Sequence, residues 1–280
     1  MKILFPTDFS NAAENAFVYA LKLAERLEAS ITIVHIYEVL QFHTWVEESM
    51  NMAEVNDKIT IGEFEQFKDK IEMLKRIAAE HRLTHIEVNY SLKESDYIVE
   101  AILDEAKENL ADLIVIGTTG ASGLKEILFG SVASKVIDGA VCPVFMVPDT
   151  ANYKGIEKIG LTLEYKPGEL KLIEKSLAIA RRLGGHLHCL HVDVYDPEKE
   201  KIKLMEYKQA FAHESDISFH VHYELDVEKG ILEFMKFNQI DLVIMRVHHM
   251  SKIKEFFSYS IAKRVAYHTD IPLIGLHVDI

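Results

Sequence analysis

Cysteine is nearly absent. Only Cys142 and Cys189 occur in 280 residues, both within apolar runs, so no disulfide framework organises the chain and each reads as a small core residue. Long hydrophobic stretches are missing as well. Runs such as Leu113–Ile116 fall far short of the roughly 20 residues that a membrane helix needs. Met1-Lys2 leads straight into a strand-like segment, with no basic-then-apolar leader and no small-residue cleavage site. Positive charge is in deficit: 31 Lys and Arg face 44 Asp and Glu, a net −13, which argues against nonspecific nucleic-acid binding. These deficits predict a cytoplasmic protein that engages neither membrane nor nucleic acid. Two phosphate-binding signatures are also lacking. There is no G-x-x-x-x-G-K-[ST], against a P-loop, and no G-x-G-x-x-G after the first strand-like run, against a dinucleotide fold.

What is present is a duplication. Apolar residues make up 49% of the chain, enough for packed cores, and the length suits one large domain or two ordinary ones. Shifted by 156, Lys2-Ile3 falls on Lys158-Ile159, Leu21, Ala24, Arg26 and Leu27 on Leu177, Ala180, Arg182 and Leu183, and His35 on His191. Shifted by 129, residues 112–147 align without a gap to 241–276, so Ser131, Ala133, Val136 and Pro143 meet Ser260, Ala262, Val265 and Pro272. The second copy is therefore 27 residues shorter in its middle, and the boundary falls near Asp149–Lys154. The copies differ chemically. Residues 1–150 hold 13 Lys and Arg against 25 Asp and Glu and only four histidines; residues 151–280 hold 18 against 19, and ten histidines.

Within each copy, short buried-type apolar runs alternate with helical periodicity. Strands are predicted at Lys2–Pro6, Ile31–Ile36, Ile86–Tyr90, Asp112–Ile116 and Pro143–Val147. Helices fall between them, the first capped by Ser10 or Asn11, the others over Thr60–His81, Asp96–Leu110 and Ser131–Ala140. The second copy repeats this with strands at Ile159–Leu163, His186–Val192, Ser218–Tyr223, Leu242–Met245 and Pro272–His277, and helices at Gly168–Leu183, Glu200–Ala212, Val227–Asn238 and Ser260–His268. The alternation predicts an α/β protein with two parallel sheets, each of five strands covered on both faces. Ligands of such sheets bind beyond the carboxyl ends of the strands, where strand order reverses.

After Asp112–Ile116 comes Gly117-Thr118-Thr119-Gly120, then nine residues, then Gly130-Ser131 at a predicted helix start. Glycines let main-chain N–H groups approach an anion unobstructed, and a helix start adds free N–H groups and the positive end of its dipole. Ser131 adds a hydroxyl. No lysine is required. A lone Gly-x-x-Gly is most often a mere turn; the spaced Gly130-Ser131 makes an anion site the better reading.

The pattern Gly117-x2-Gly120-x9-Gly130-Ser131 resembles the ATP-binding signature of universal stress proteins. So do Leu124–Val132, Cys142-Pro143-Val144, Pro6-Thr7-Asp8-Phe9-Ser10 and Val34-His35-Ile36. The resemblance covers essentially the whole chain, twice. It implies two tandem Rossmann-like domains of the adenine nucleotide alpha hydrolase-like type, 1–150 binding nucleotide and 151–280 degenerate. It implies that ATP, ADP or AMP sits against Pro6, Thr7, Asp8, Ile36, Gly117, Thr118, Thr119, Gly120, Gly130, Ser131 and Val132. Gly120, Gly130, Ser131 and their neighbours would hold phosphates, and Gly117 would let the chain turn. Asp8 would bind ribose or lie near a phosphate-bound Mg²⁺ or Mn²⁺. Ile36 would offer backbone groups to adenine. The family's members commonly pair through their last strands, so Val144–Val147 and Leu273–His277 are expected to pair within this chain as an internal pseudo-dimer, leaving further homodimerisation open.

The second copy breaks the signature. Gly117 becomes Arg246, Gly120 becomes His249, Gly130 becomes Tyr259 and Asp8 becomes Glu164; Ser131 alone survives, as Ser260. That copy is expected not to bind ATP in the family manner. His186, His188, His220 and His222 alternate along two strands, but with no clear carboxylate or cysteine ligand spacing they read as hydrogen-bonded histidines rather than a metal site. His35 and His191 match each other, which suggests packing. Residues 41–59, with Trp45, Met50 and Met52, read equally as a lid over adenine or as a packing loop. No poised base or nucleophile–histidine pair is evident. The reading is thus a nucleotide-binding regulatory module of the stress response acting through a protein partner; a slow ATPase or autokinase and a ligand-free scaffold stay open.

Overall fold

A computed structural model of the chain describes residues 1–38, 52–118, 131–193, 197–247 and 270–277. The first half runs β1 (Lys2–Pro6), α1 (Asn11–Leu27), β2 (Ser30–Tyr37), α2 (Met52–Glu80), β3 (Val88–Glu94), α3 (Ile98–Glu108), β4 (Leu113–Gly117), α4 (Ser131–Gly139) and β5 (Val144–Val147). The second runs β6 (Lys158–Leu163), α5 (Glu169–Arg182), β7 (His186–Asp193), α6 (Pro197–Ala210), β8 (Ile217–Tyr223), α7 (Val227–Asn238), β9 (Leu242–Val247) and β10 (Leu273–His277).

The order β3-β2-β1-β4-β5-β10-β9-β6-β7-β8 makes one continuous sheet of ten strands. Pairing is parallel within each half. The halves join antiparallel through β5 and β10, with Phe145 opposite Ile274 and Met146 opposite Leu273. The two last strands thus cover each other's edges, which would otherwise present unpaired N–H and C=O groups. Gly275 makes the junction close: a Cβ there would crowd Ile137 on α4 and lie 2.8 Å from Val247 Cγ2. His277 Nε2–H donates to the Ile137 carbonyl at 2.7 Å, tying α4 of the first half to β10 of the second.

The central strands are apolar on both faces because both are covered. Phe5, Phe17, Leu21, Phe145, Ile173, Leu187 and Ile244 belong to a core under α1, α2, α5 and α6 that runs across both halves. Leu4, Ile102, Ile114, Val136, Ile231 and Met245 belong to a second core under α3, α4 and α7. Arg26 crosses between halves, donating from Nη1 to the carbonyls of Ile156 (2.8 Å) and Leu183 (2.6 Å).

Two expectations shift. α2 starts at Met52 rather than Thr60, since residues 52–59 contain neither glycine nor proline to stop a helix. β3 starts two residues later than expected and runs on to Glu94, not Tyr90. As an edge strand it is half-exposed, so Ser91, Lys93 and Glu94 extend it without the apolar signal of a buried strand. The helix expected at 260–268 and most of the 41–59 segment lie outside the described residues.

Candidate functional site

In each half the order of strands reverses beside the first one, between β1 and β4 and between β6 and β9. The connections leave on opposite faces there, which opens a crevice at the carboxyl ends. In the first half it holds a cleft of about 270 Å³. Pro6 ends β1 and Thr7 and Asp8 follow it into the cleft, Ile36 lies on β2, Gly117 ends β4, and Ser131 and Val132 begin α4. Seven of the residues singled out in the sequence therefore share one cleft. Thr118 stands just behind it. Its side chain is buried and its N–H donates to the Val147 carbonyl at 3.0 Å, so this amide already extends the sheet. Thr119, Gly120 and Gly130 lie outside the described residues.

The loop after β1 is held by its own side chains. Thr7 Oγ1 accepts the Phe9 N–H and Asp8 Oδ1 the Ser10 N–H, each at 3.0 Å. Ser10 Oγ then caps α1 by accepting the Ala13 N–H at 3.3 Å. Phe9 adopts φ 56°, a left-handed conformation rare for a bulky residue. Its ring packs 4.8 Å from His35, whose Nδ1–H donates to the Thr7 carbonyl at 2.8 Å. A carbonyl only accepts, so that nitrogen carries the proton. The second half repeats the device: Tyr165 has φ 57° and stacks 3.8 Å from His191, whose Nδ1–H donates to the Leu163 carbonyl at 2.9 Å. His35 and His191 hold a strained turn in place; the packing role expected of them is what the geometry shows.

Gly117 permits a close approach. A Cβ there would lie 3.3 Å from the Ala12 carbonyl oxygen in the first turn of α1. The first turn of α4 faces the same space through Ser131 and Val132, offering helix-start N–H groups in a cleft with no lysine or arginine among its described walls.

Sequence reasoning missed the apolar walls. Ile98, Ile102 and Ile116 line the cleft although their type and spacing read only as core. The available signal was position: Ile98 and Ile102 open a helix, and Ile116 closes a strand, at the sheet's carboxyl end.

The second half fills the matching positions differently. Arg246, in Gly117's place, is buried, and its Nη1 donates to the Pro167 carbonyl at 2.8 Å. Glu169, in Ala13's place, is buried at the start of α5. Its carboxylate accepts the Glu164 N–H and, at 3.0 Å, the Tyr207 hydroxyl. Burial raises its pKa above the usual carboxylate range, opposed by these hydrogen bonds. Positions 249 and 259 lie outside the described residues.

The histidines of the second half form a cluster around Ser218. Its Oγ lies 2.9 Å from His220 Nε2 and 3.2 Å from both His188 Nδ1 and His186 Nε2, and His188 Nδ1 lies 3.3 Å from His220 Nε2, the two rings stacked with centroids 5.4 Å apart. His222 instead meets Glu233. Among the described residues no group of three or more His, Cys, Asp and Glu could hold a metal ion. Nor is any described helix long and apolar enough to cross a membrane.

Known proteins place this architecture. The sequence model of the universal stress protein family matches residues 1–148 and again 155–275. A universal stress protein of Methanocaldococcus jannaschii is 31% identical over 149 residues, 52% of this chain and 81% of that protein. One from Bacillus subtilis is 31% identical over 153 residues, 52% of this chain and 97% of its own length. The crystal structure of a universal stress protein from Archaeoglobus fulgidus superposes with a TM-score of 0.68, covering 99% of this chain and 96% of that one at 16% identity, a likeness of fold. The chain is therefore a tandem member of the universal stress protein family, two family units on one ten-stranded sheet.

Proposed function

We propose that the first unit, residues 1–150, binds ATP, ADP or AMP, and that the second, residues 151–280, is a partner unit unable to take the phosphates. The observation that carries this reading is the convergence of Asp8, Ile36, Gly117, Ser131 and Val132 on one cleft at the switch point. Adenine lies between apolar walls, with backbone groups at Ile36 as its polar partners. Ribose meets Asp8. The phosphate tail runs from the Gly117 strand end toward Ser131 and the positive end of α4.

The donor set fits such a tail: it is neutral amide and hydroxyl, plus one carboxylate, in a half that is otherwise acidic. Mg²⁺ or Mn²⁺ would enter with the phosphates and lie toward Asp8, as one carboxylate is too little to hold a bare ion. In this reading Asp8 orients, Gly117 keeps α1 and β4 close, and α4 balances charge. The described walls contain no histidine or cysteine, and the His35 proton is committed to Thr7, which supports binding over turnover. The role is regulatory. In the cytoplasm the bound state alters contacts with a protein partner during stress, and the β5–β10 junction lets one chain imitate the family's dimer.

The test is mass spectrometry of small molecules released from freshly purified protein, followed by calorimetric titration with ATP. One adenine nucleotide per chain, lost in Asp8→Ala, supports the reading. Protein that carries none and gives no binding at millimolar ATP ends it.

A further inference from the structure

The second unit has a cleft of its own at the β6–β9 switch point, about 220 Å³ in volume. Its walls match those of the first cleft position by position. Leu190 and Val192 on β7 stand where Val34 and Ile36 stand on β2, offset by 156. Val227 and Ile231 on α7 replace Ile98 and Ile102 on α3, and Met245 on β9 replaces Ile116 on β4, all offset by 129. These five apolar walls have remained apolar, whereas Thr162 stands for Pro6 and Glu169 for Ala13. The carboxylate has remained too: Glu164 stands for Asp8, one methylene longer, its Oε2 paired with Lys166 Nζ at 2.8 Å at the partly exposed mouth.

The losses among the described residues lie at the end of β9 and in the loop after β6. The place of Gly117 carries the buried Arg246, whose side chain turns to Pro167 and Gly168, and the place of Ala13 carries the buried Glu169. The Glu164 amide is satisfied by Glu169, so this loop amide is no longer open to an incoming anion. A phosphate would need a loop amide that Glu169 already occupies, beside a Glu164 carboxylate whose charge Lys166 already balances. A neutral group would not.

We propose that the second cleft binds an uncharged purine nucleoside of the adenosine class, its base between Leu190, Val192 and Ile231 and its ribose hydroxyls donating to Glu164. This rests on the first cleft being a base-and-ribose site, from which the second differs by loss of the tail's cradle. The ligand class also follows from the cleft's own chemistry. Flat apolar walls take an aromatic ring, and one carboxylate at the mouth takes a vicinal diol as hydroxyl acceptor. At about 220 Å³ it is smaller than the first cleft, about 270 Å³, in keeping with a smaller ligand. The tandem would then read two states of one chemistry, the phosphorylated nucleotide in one unit and the bare nucleoside in the other.

Equilibrium dialysis of the full chain with radiolabelled adenosine, at saturating Mg-ATP, tests this. The expected result is one adenosine per chain that excess ATP does not displace, weakened about tenfold in Glu164→Gln and at least tenfold in Ile231→Trp. ATP affinity is unchanged in both variants, and thermal melts report their folding. Absence of ATP-insensitive adenosine binding overturns the inference, as does binding unaffected by both variants, or equal competition by AMP at that site. Failure of the first-cleft reading looks different: wild type then binds no ATP at all. In that case adenosine bound in an Ile231→Trp-sensitive way still establishes the second site.

Discussion

Arg246 packs against Gly168 at the place where, in the first unit, bare Gly117 faces Ala12. A Cβ on Gly168 would lie 3.5 Å from Arg246 Nη2, and one on Gly117 would lie 3.3 Å from the Ala12 carbonyl oxygen. The two units satisfy one tight meeting of strand end and helix start in opposite ways, with the small residue on the strand in one and before the helix in the other. Only the first arrangement leaves main chain open at the cleft.

Gly117→Arg should therefore abolish nucleotide binding, lowering ATP affinity at least 100-fold by calorimetry. It should also cost about 2 kcal/mol in urea unfolding, since the new side chain meets the backbone of α1. Adding Ala12→Gly copies the second unit's solution. The double variant should regain about 1 kcal/mol while remaining unable to bind ATP. Recovery of binding in the double variant would show that the glycine serves packing alone.

The strained turns make a second prediction. His191→Phe removes the donor to the Leu163 carbonyl and should destabilise the second unit by about 2 kcal/mol, as expected for a buried acceptor left unpaired. His35→Phe should do the same in the first unit through Thr7. Denaturant melts that match wild type would remove these histidines from any structural account.

Acid should weaken the second unit. Burial, then His186, His220 and Lys158, lower the pKa of His188 from 6.5 to about 4. Burial, Lys208 and His186 lower that of His220. Both rings are neutral in the fold where imidazoles of the unfolded chain take up protons. The unfolded state therefore binds more protons below pH 6.5, and stability falls as pH drops toward 4. Because the His188 ring is half-exposed, its share of the loss is about 1 kcal/mol after solvent screening. His188→Gln should flatten the decline between pH 6.5 and 4 in pH-dependent melts; an unaltered slope would assign it elsewhere.

The junction between units depends on Gly275. Gly275→Val would drive a side chain into Ile137 and Val247 and should cost about 2 kcal/mol by overpacking. Hydrogen exchange should show that loss first in β5 and β10. Uniform destabilisation of both units would contradict the role given to this contact.

Much of this was legible in the chain itself. Lys2–Pro6 and Val227–Asn238 match their expected bounds because one is a short buried-type run and the other a capped, strongly periodic helix, with Asp226 accepting the N–H groups of Glu228 and Lys229. β3 was less legible, since an edge strand has no apolar signature along its outer half. Asp8, Gly117 and Ser131, singled out by motif and spacing, line one cleft. Ile98 and Ile102 were not, because an apolar residue on a helix face looks the same over a cleft as over a core. Glu169 was invisible for another reason: its counterpart Ala13 belongs to no motif, so comparing motif positions passes over the acid that satisfies the second loop.

A crystal structure of the chain grown with Mg-ATP addresses the central claim most directly. Density for the phosphates against the amides around Gly117 and Ser131, with ribose beside Asp8, is the predicted result. Phosphates seated beside Arg246, or a first cleft empty at saturating nucleotide, would contradict it.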